Sequence, residues 1–170
     1  MLTAAASPRP IVVPRESGVN TPIAGLGTVH KLPAALTNGQ VAIVEHRLPP
    51  GVLGAPVHRH SREDECSIVI SGTLGALLGD EVVTAEAGAY VWKPRDQWHT
   101  FWNAGSTELH FIELLLPGGF DAYFQRLSEM LRAATCPLPA SLAALGREFG
   151  LDVDLDYTAR VCERFFLKLG

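Results

Sequence analysis

Cysteine is scarce in this chain, and its placement rules out two common architectures. Among 170 residues only Cys66, Cys136 and Cys162 occur, scattered and without a CxxC pair. Neither a disulfide framework nor a cysteine-rich zinc knuckle can be built from them, and a reducing cytoplasm suits that usage. Basic charge is also short, with Lys and Arg totalling 14 against 18 Asp and Glu, a net charge of −4. No basic face is on offer, so nucleic acid is excluded as a partner. Long hydrophobic runs are missing too. No segment approaches the length of a membrane span. The stretch Met1 to Pro14 holds Pro8, Pro10 and Pro14 and lacks the apolar core of a secretory signal. Internal repeats and low-complexity tracts are absent. The expectation is a soluble cytoplasmic protein that binds a small molecule, with no membrane partner.

What is present fits one domain, since the length is enough for a real core but too short for two. Apolar residues make up 47% and charged residues 19%, an ordinary globular balance. Residues 1–20 read as an N-terminal arm, because their prolines block a helix, although Ile11-Val12-Val13 can add an edge strand. Residues 21–117 read as a β-domain. Asn38-Gly39, between Leu36 and Val41 to Val44, predicts a hairpin turn, and Pro49-Pro50-Gly51 ends the strand that follows. Short β-prone runs then succeed one another: Cys66 to Ile70, Leu74 to Leu78, Glu81 to Thr84, Tyr90 to Lys93, Trp98 to Trp102 and Leu109 to Leu116. Glycine, proline and asparagine punctuate them, which predicts an all-β core, an antiparallel sandwich or barrel.

Residues 118–170 read as a helical extension of the same domain. Phe120, Tyr123, Phe124, Leu127, Met130 and Leu131 recur at helical spacing, and Pro137 and Pro139 end that region. Ser141 can cap a second helix carrying Leu142, Leu145 and Phe149, and a third carries Val161, Cys162, Phe165, Phe166 and Leu169. The apolar stripes predict helices packed outside the barrel.

Four side chains form a metal-binding pattern. On a strand, residues two apart share a face, so His58 and His60 can present two imidazoles to one point while Arg59 turns away. Glu65 is out of phase with them, but the polar insert Ser61-Arg62-Glu63-Asp64 can turn or bulge and reset the alternation. His99 can approach from another strand. Three imidazoles and one carboxylate suit one divalent first-row metal (Fe, Mn, Co, Ni, Cu or Zn) and leave exchangeable positions at an octahedral ion. Single histidines on strands are mostly structural, so His30, His46 and His110 stay unassigned.

These residues also carry a family resemblance. His58-x-His60, four residues, Glu65, six residues, Gly72 resembles the first motif of the cupin superfamily. Gly88, five residues, Pro94-x-Asp96, two residues, His99, three residues, Asn103 resembles the second. There are two departures. Val52 stands where the first motif has a glycine, with Gly51 one residue early, and Asp96 replaces the turn glycine of the second. Aspartate tolerates the left-handed conformation such a turn needs. The resemblance implies an antiparallel jelly-roll β-barrel with a metal held by His58, His60, Glu65 and His99. Glu63 and Asp64 compete with Glu65, but the step to Gly72 favours Glu65.

Resemblance to single-domain, quercetin dioxygenase-like cupins implies a metal-dependent dioxygenase for an aromatic or enolic compound, with Glu65 as both ligand and proton acceptor. The alternatives are an isomerase, cyclase or lyase that stabilises an enolate without oxygen, and a non-catalytic small-molecule-binding cupin. Phe101, two residues from His99, is the first candidate for a substrate pocket. Tyr90 and Trp92 are further candidates, sharing a face that alternation does not identify, whereas Trp98 and Trp102 should point away. The run Asp152-x-Asp154-x-Asp156 resembles a calcium loop but has Tyr157 where that loop needs glycine, which favours a turn and helix cap. A β-prone arm and a sheet edge are also compatible with a homodimer.

Overall fold

A computed structural model of the chain describes residues 10–133 and 139–170. The strands are β1 (Val19–Asn20), β2 (Gly27–Leu32), β3 (Ala42–Leu48), β4 (Val52–Leu53), β5 (Val57–His60), β6 (Asp64–Ser71), β7 (Thr73–Leu78), β8 (Glu81–Glu86), β9 (Tyr90–Lys93), β10 (His99–Asn103) and β11 (Leu109–Leu116). Helices α1 (Asp121–Ala133) and α2 (Pro139–Glu148) follow, then β12 (Leu151–Asp154), α3 (Leu155–Phe165) and β13 (Lys168–Leu169).

Two sheets form the core. The first runs β1-β2-β3-β11-β6-β9, all antiparallel. In the second, β10 has β7 and then β8 on one side, and on the other β4 and β5, which behave as one strand interrupted at residues 54–56. β12 extends this sheet beyond β5 and β13 extends it beyond β4, the latter in parallel. The chain crosses between the sheets rather than closing them into one ring. This is the expected jelly-roll fold, with inward-facing Leu48, Val69, Leu74, Phe101, Leu109 and Phe111 forming the main core.

The strand boundaries follow from alternation. β11 reads buried, half-buried, buried along its whole length, and the predicted runs at Tyr90–Lys93 and Leu109–Leu116 are reproduced to the residue. Two N-terminal expectations are corrected. Ile11 to Val13 form no strand; the edge strand is β1, and Lys31 Nζ ties the preceding segment down by donating to the carbonyls of Pro14, Arg15 and Ser17. Asn38 and Gly39 both take positive φ, 53° and 76°, as the hairpin turn requires. The strands joined are β2 and β3, however, and a 3-10 turn at Ala34–Leu36 lengthens the connection.

The C-terminal segment is partly strand. α3 lies outside the second sheet as predicted, burying Val161 among Leu53, Val57, Leu77 and Trp102, with Phe165 stacked on Trp102 at 4.7 Å. Asp154 caps it by accepting from Tyr157 N at 2.7 Å, the cap role expected for that acidic run. The helix stops at Phe166, which takes φ 55° and is exposed, and Leu169 belongs to β13. α2 begins at Pro139, so Ser141 lies inside it rather than capping it. Pro137 and Cys136 lie outside the described residues. Phe120, just before α1, and Phe124, in its first turn, do not pack on the outside but turn into one end of the barrel. No helix among the described residues is long and apolar enough to cross a membrane.

Candidate metal centre

His58 and His60 project from β5 to the interior while Arg59 turns outward, where it pairs with Asp152 at 2.9 Å and stacks on Trp98 at 4.9 Å. β12 completes the backbone pairing of β5 on its other edge, Val153 opposite His58 and Leu151 opposite His60. On β10, His99 stands directly opposite His58, so strand register alone brings those two ligands together. Their ring centroids are 4.3 Å apart.

Glu65 comes from the facing sheet. Within the insert, residues 61–63 form a corner that carries the chain from β5 to β6, which begins at Asp64, and this crossing removes the phase conflict seen in the sequence. The corner is held at both ends: Ser61 N and Oγ donate to Gly150 O, and Arg95 clamps Asp64 at 2.7 Å. Asp96, at φ 63°, makes the left-handed turn that normally favours glycine, and its N–H donates to His60 O at 2.7 Å. The replaced motif glycine therefore leaves the ligand strand in place. Gly51, at φ 69°, supplies the corresponding turn one residue before Val52.

One ligand atom from each of His58, His60, Glu65 and His99 lies within 4.8 Å of the others, and all four residues are buried. Outer contacts orient the rings. A carbonyl only accepts, so His58 Nδ1 donates to Pro56 O at 2.7 Å and His99 Nδ1 to Gln97 O at 3.0 Å, leaving each Nε2 lone pair for the interior. His60 Nδ1 has Glu63 at 3.7 Å, which gives Glu63 an outer position rather than a ligand position. Neither ring nitrogen of His60 has a hydrogen-bond partner among the described residues, although Nε2 is 3.3 Å from Glu65 Oε1. A buried imidazole with an unmet nitrogen, inside a set of three imidazoles and one carboxylate, fits a divalent first-row ion. His30, His46 and His110 do not join the group.

The electrostatics run in opposite directions within the quartet. Burial, reinforced by His99 and His60, holds His58 well below the usual imidazole range. Burial also works against a charged His60, but Glu65 and Glu63 outweigh it and raise its pKa to about 9. Glu65 is pulled well below the carboxylate range despite burial, chiefly by Lys93 and then by His60.

Lys93 and Glu113 are buried charged residues beside the quartet that the sequence reading missed. Lys93 is 1% exposed. Its Nζ lies 2.9 Å from Glu65 Oε2 and 2.7 Å from Glu113 Oε2, and Ser67 Oγ donates to the same Glu113 oxygen at 2.7 Å. Burial disfavours the ammonium, but the two carboxylates hold the Lys93 pKa above its ordinary value. A signal was available in β11, where a lone glutamate shares the face of Leu109, Phe111 and Leu115.

The aromatic candidates divide. Phe101 is buried beside the site, 5.2 Å from Lys93 Nζ and edge-on to Phe111. Gly54 makes room for it, since a Cβ there would meet the ring at 2.1 Å. Tyr90 and Trp92 are corrected as pocket candidates: at 71% and 51% exposed they occupy the outer face of β9, whose inward members are Val91 and Lys93. Trp98 and Trp102 point away from the metal ligands as expected, toward Arg59 and α3.

Comparisons with known proteins agree with this geometry. Residues 44–115 match the cupin domain family. No curated protein matches the chain. Among solved structures, KdgF from a Halomonas species shares the fold with a TM-score of 0.59 and 18% identity, over 67% of this chain and 99% of that one. A protein described as a predicted oxalate decarboxylase from Thermotoga maritima gives 0.56 and 22%, over 63% and 99%. PAC13 from Streptomyces, determined with uridine, gives 0.52 and 14%, over 64% and 83%. The double-motif pattern, the jelly roll and the buried ligand set agree with the match of residues 44–115 to the cupin domain family.

Proposed function

We propose that this protein is a metal-dependent dioxygenase that holds a small aromatic or enolic compound as its enolate. The observation that carries the reading is the buried quartet His58, His60, Glu65 and His99, whose ligand atoms converge within 4.8 Å. A divalent ion bound there supplies Lewis acidity toward a substrate oxygen and, if redox-active, an electron path to dioxygen. The chain's own residues set the conditions for that chemistry. His58, His60, Glu65 and His99 would hold that ion through three imidazoles and one carboxylate, a donor set suited to a divalent first-row metal. Phe101 provides an apolar wall for a planar ligand, and Phe120, 4.3 Å from the His60 ring, helps keep water from the ligands. The test is metal analysis of the purified protein followed by oxygen-uptake assays with catechols, flavonols and 1,3-diketones. Metal-replete protein that consumes no oxygen across that panel would refute the dioxygenase reading.

A second reading keeps the metal and omits oxygen: an isomerase, cyclase or lyase working through the same enolate. The Glu65–Lys93–Glu113 network favours it, because buried acid and base groups in contact are suited to proton movement. Turnover undiminished under strict anaerobiosis would select this reading.

A further inference from the structure

We propose that Glu113 is the residue that takes the proton from the substrate, acting beside the metal ligand Glu65 and joined to it through Lys93. The inference rests on the enolate-forming reading above and assigns a group that reading leaves open. Glu65 is poorly placed for the task. Its Oε2 receives Lys93 at 2.9 Å and faces His99 Nε2 at 3.2 Å, and its Oε1 faces His60 at 3.3 Å. A carboxylate committed to a metal and to an ammonium has little basicity left.

Glu113 is arranged differently. It lies on the inward face of β11, between Phe111 and Leu115, with Val44 opposite on β3 and Ser67 opposite on β6. Only one of its oxygens is committed: Oε2 takes both Ser67 Oγ and Lys93 Nζ. Oε1 is buried and has no partner among the described residues. Leaving a carboxylate oxygen buried and unpartnered is costly, which makes it a candidate for a substrate contact. The surroundings also suit proton exchange, for burial raises Glu113 to about 7 against the opposing pull of Lys93.

The step balances within the site. An O–H or C–H bond of the substrate breaks, its electron pair stays on the substrate as the enolate, and an O–H bond forms at Glu113 Oε1. The interior gains no net charge. Lys93, which shares its ammonium between two carboxylates beforehand, loses one counter-charge as Glu113 is neutralised and keeps its pairing with Glu65. The proton returns to the product by the reverse movement.

Acetylacetone is a suitable probe, because it binds metals as an enolate only after losing a proton. Wild-type protein and Glu113→Gln are loaded with Co(II), their metal content is measured, and enolate formation is followed by ultraviolet difference spectroscopy. Equal metal content is expected, with affinity for the probe lower in Glu113→Gln by on the order of tenfold or more. Infrared difference spectra of wild-type protein with carbon-13-labelled glutamate should show a protonated carboxyl band when the probe binds. That second measurement stands even if the variant fails to fold. Equal enolate formation in both proteins, no enolate in metal-loaded wild type, or no protonated band would each overturn the role of Glu113. Wild type that takes up no metal would instead sink the metal-dependent reading itself.

Discussion

Lys93 and Glu65 stand opposite each other on β9 and β6, and the ammonium of one lies 2.9 Å from the carboxylate of the other. The same ammonium neutralises Glu113, so one buried cation serves two buried carboxylates. Lys93→Met removes the ammonium that both share, and breaking a buried pair from one side costs about 3–5 kcal/mol. Urea unfolding should show that loss as a lowered midpoint with an unchanged slope. The double variant Lys93→Met/Glu113→Leu should recover part of it. If the double variant is no more stable than the single one, packing rather than charge dominates at this position.

The metal ligands are testable one at a time. His60→Ala and His99→Ala each remove one of four ligands from a buried site, and bound metal should fall severely in both. Elemental analysis after identical purification is the measurement. Full occupancy in both variants would place the metal elsewhere.

Phe101 and Trp92 should respond in opposite ways, although both were candidates for the pocket. Phe101→Ala empties a buried position between Lys93 and Phe111 and should cost about 3–5 kcal/mol. Trp92→Ala alters an exposed outer face, so stability should stay within about 1 kcal/mol and metal content should not change. Metal loss in Trp92→Ala would reinstate that residue near the site.

His46 gives a pH dependence with a definite sign. It is buried, bonded to Thr28 Oγ at 3.1 Å, and burial with the nearby Lys93 lowers its pKa from 6.5 to about 3. The unfolded chain therefore binds a proton below about pH 6.5 that the folded chain refuses until about pH 3. Its stabilising contribution is complete above the higher value and declines as pH falls between the two. At pH 5 the loss is about 2 kcal/mol. Comparing urea midpoints at pH 7 and 5, His46→Leu should lose less stability on acidification than wild type. Equal acid sensitivity would assign the effect to other groups.

The sequence alone determined the all-β core, the boundaries of strands such as β9 and β11 and the four-residue metal pattern, and the resemblance carried by its two motifs implied the jelly roll. Those features depend on local signals: alternation along β9 and β11, turn residues such as Asn38-Gly39 and Asp96, and the spacing of His58, His60, Glu65 and His99. Tertiary structure decided what alternation leaves ambiguous. Period two says that Tyr90 and Trp92 share a face, but only the pairing of β9 with β6 and the position of the second sheet make it the outer one. Glu65 meets the histidines because the chain crosses to the facing sheet, which no phase count along one strand can show. The network of Lys93, Glu113 and Ser67 joins three strands that are far apart in sequence, and its charges are stable in the interior only because register sets them against one another.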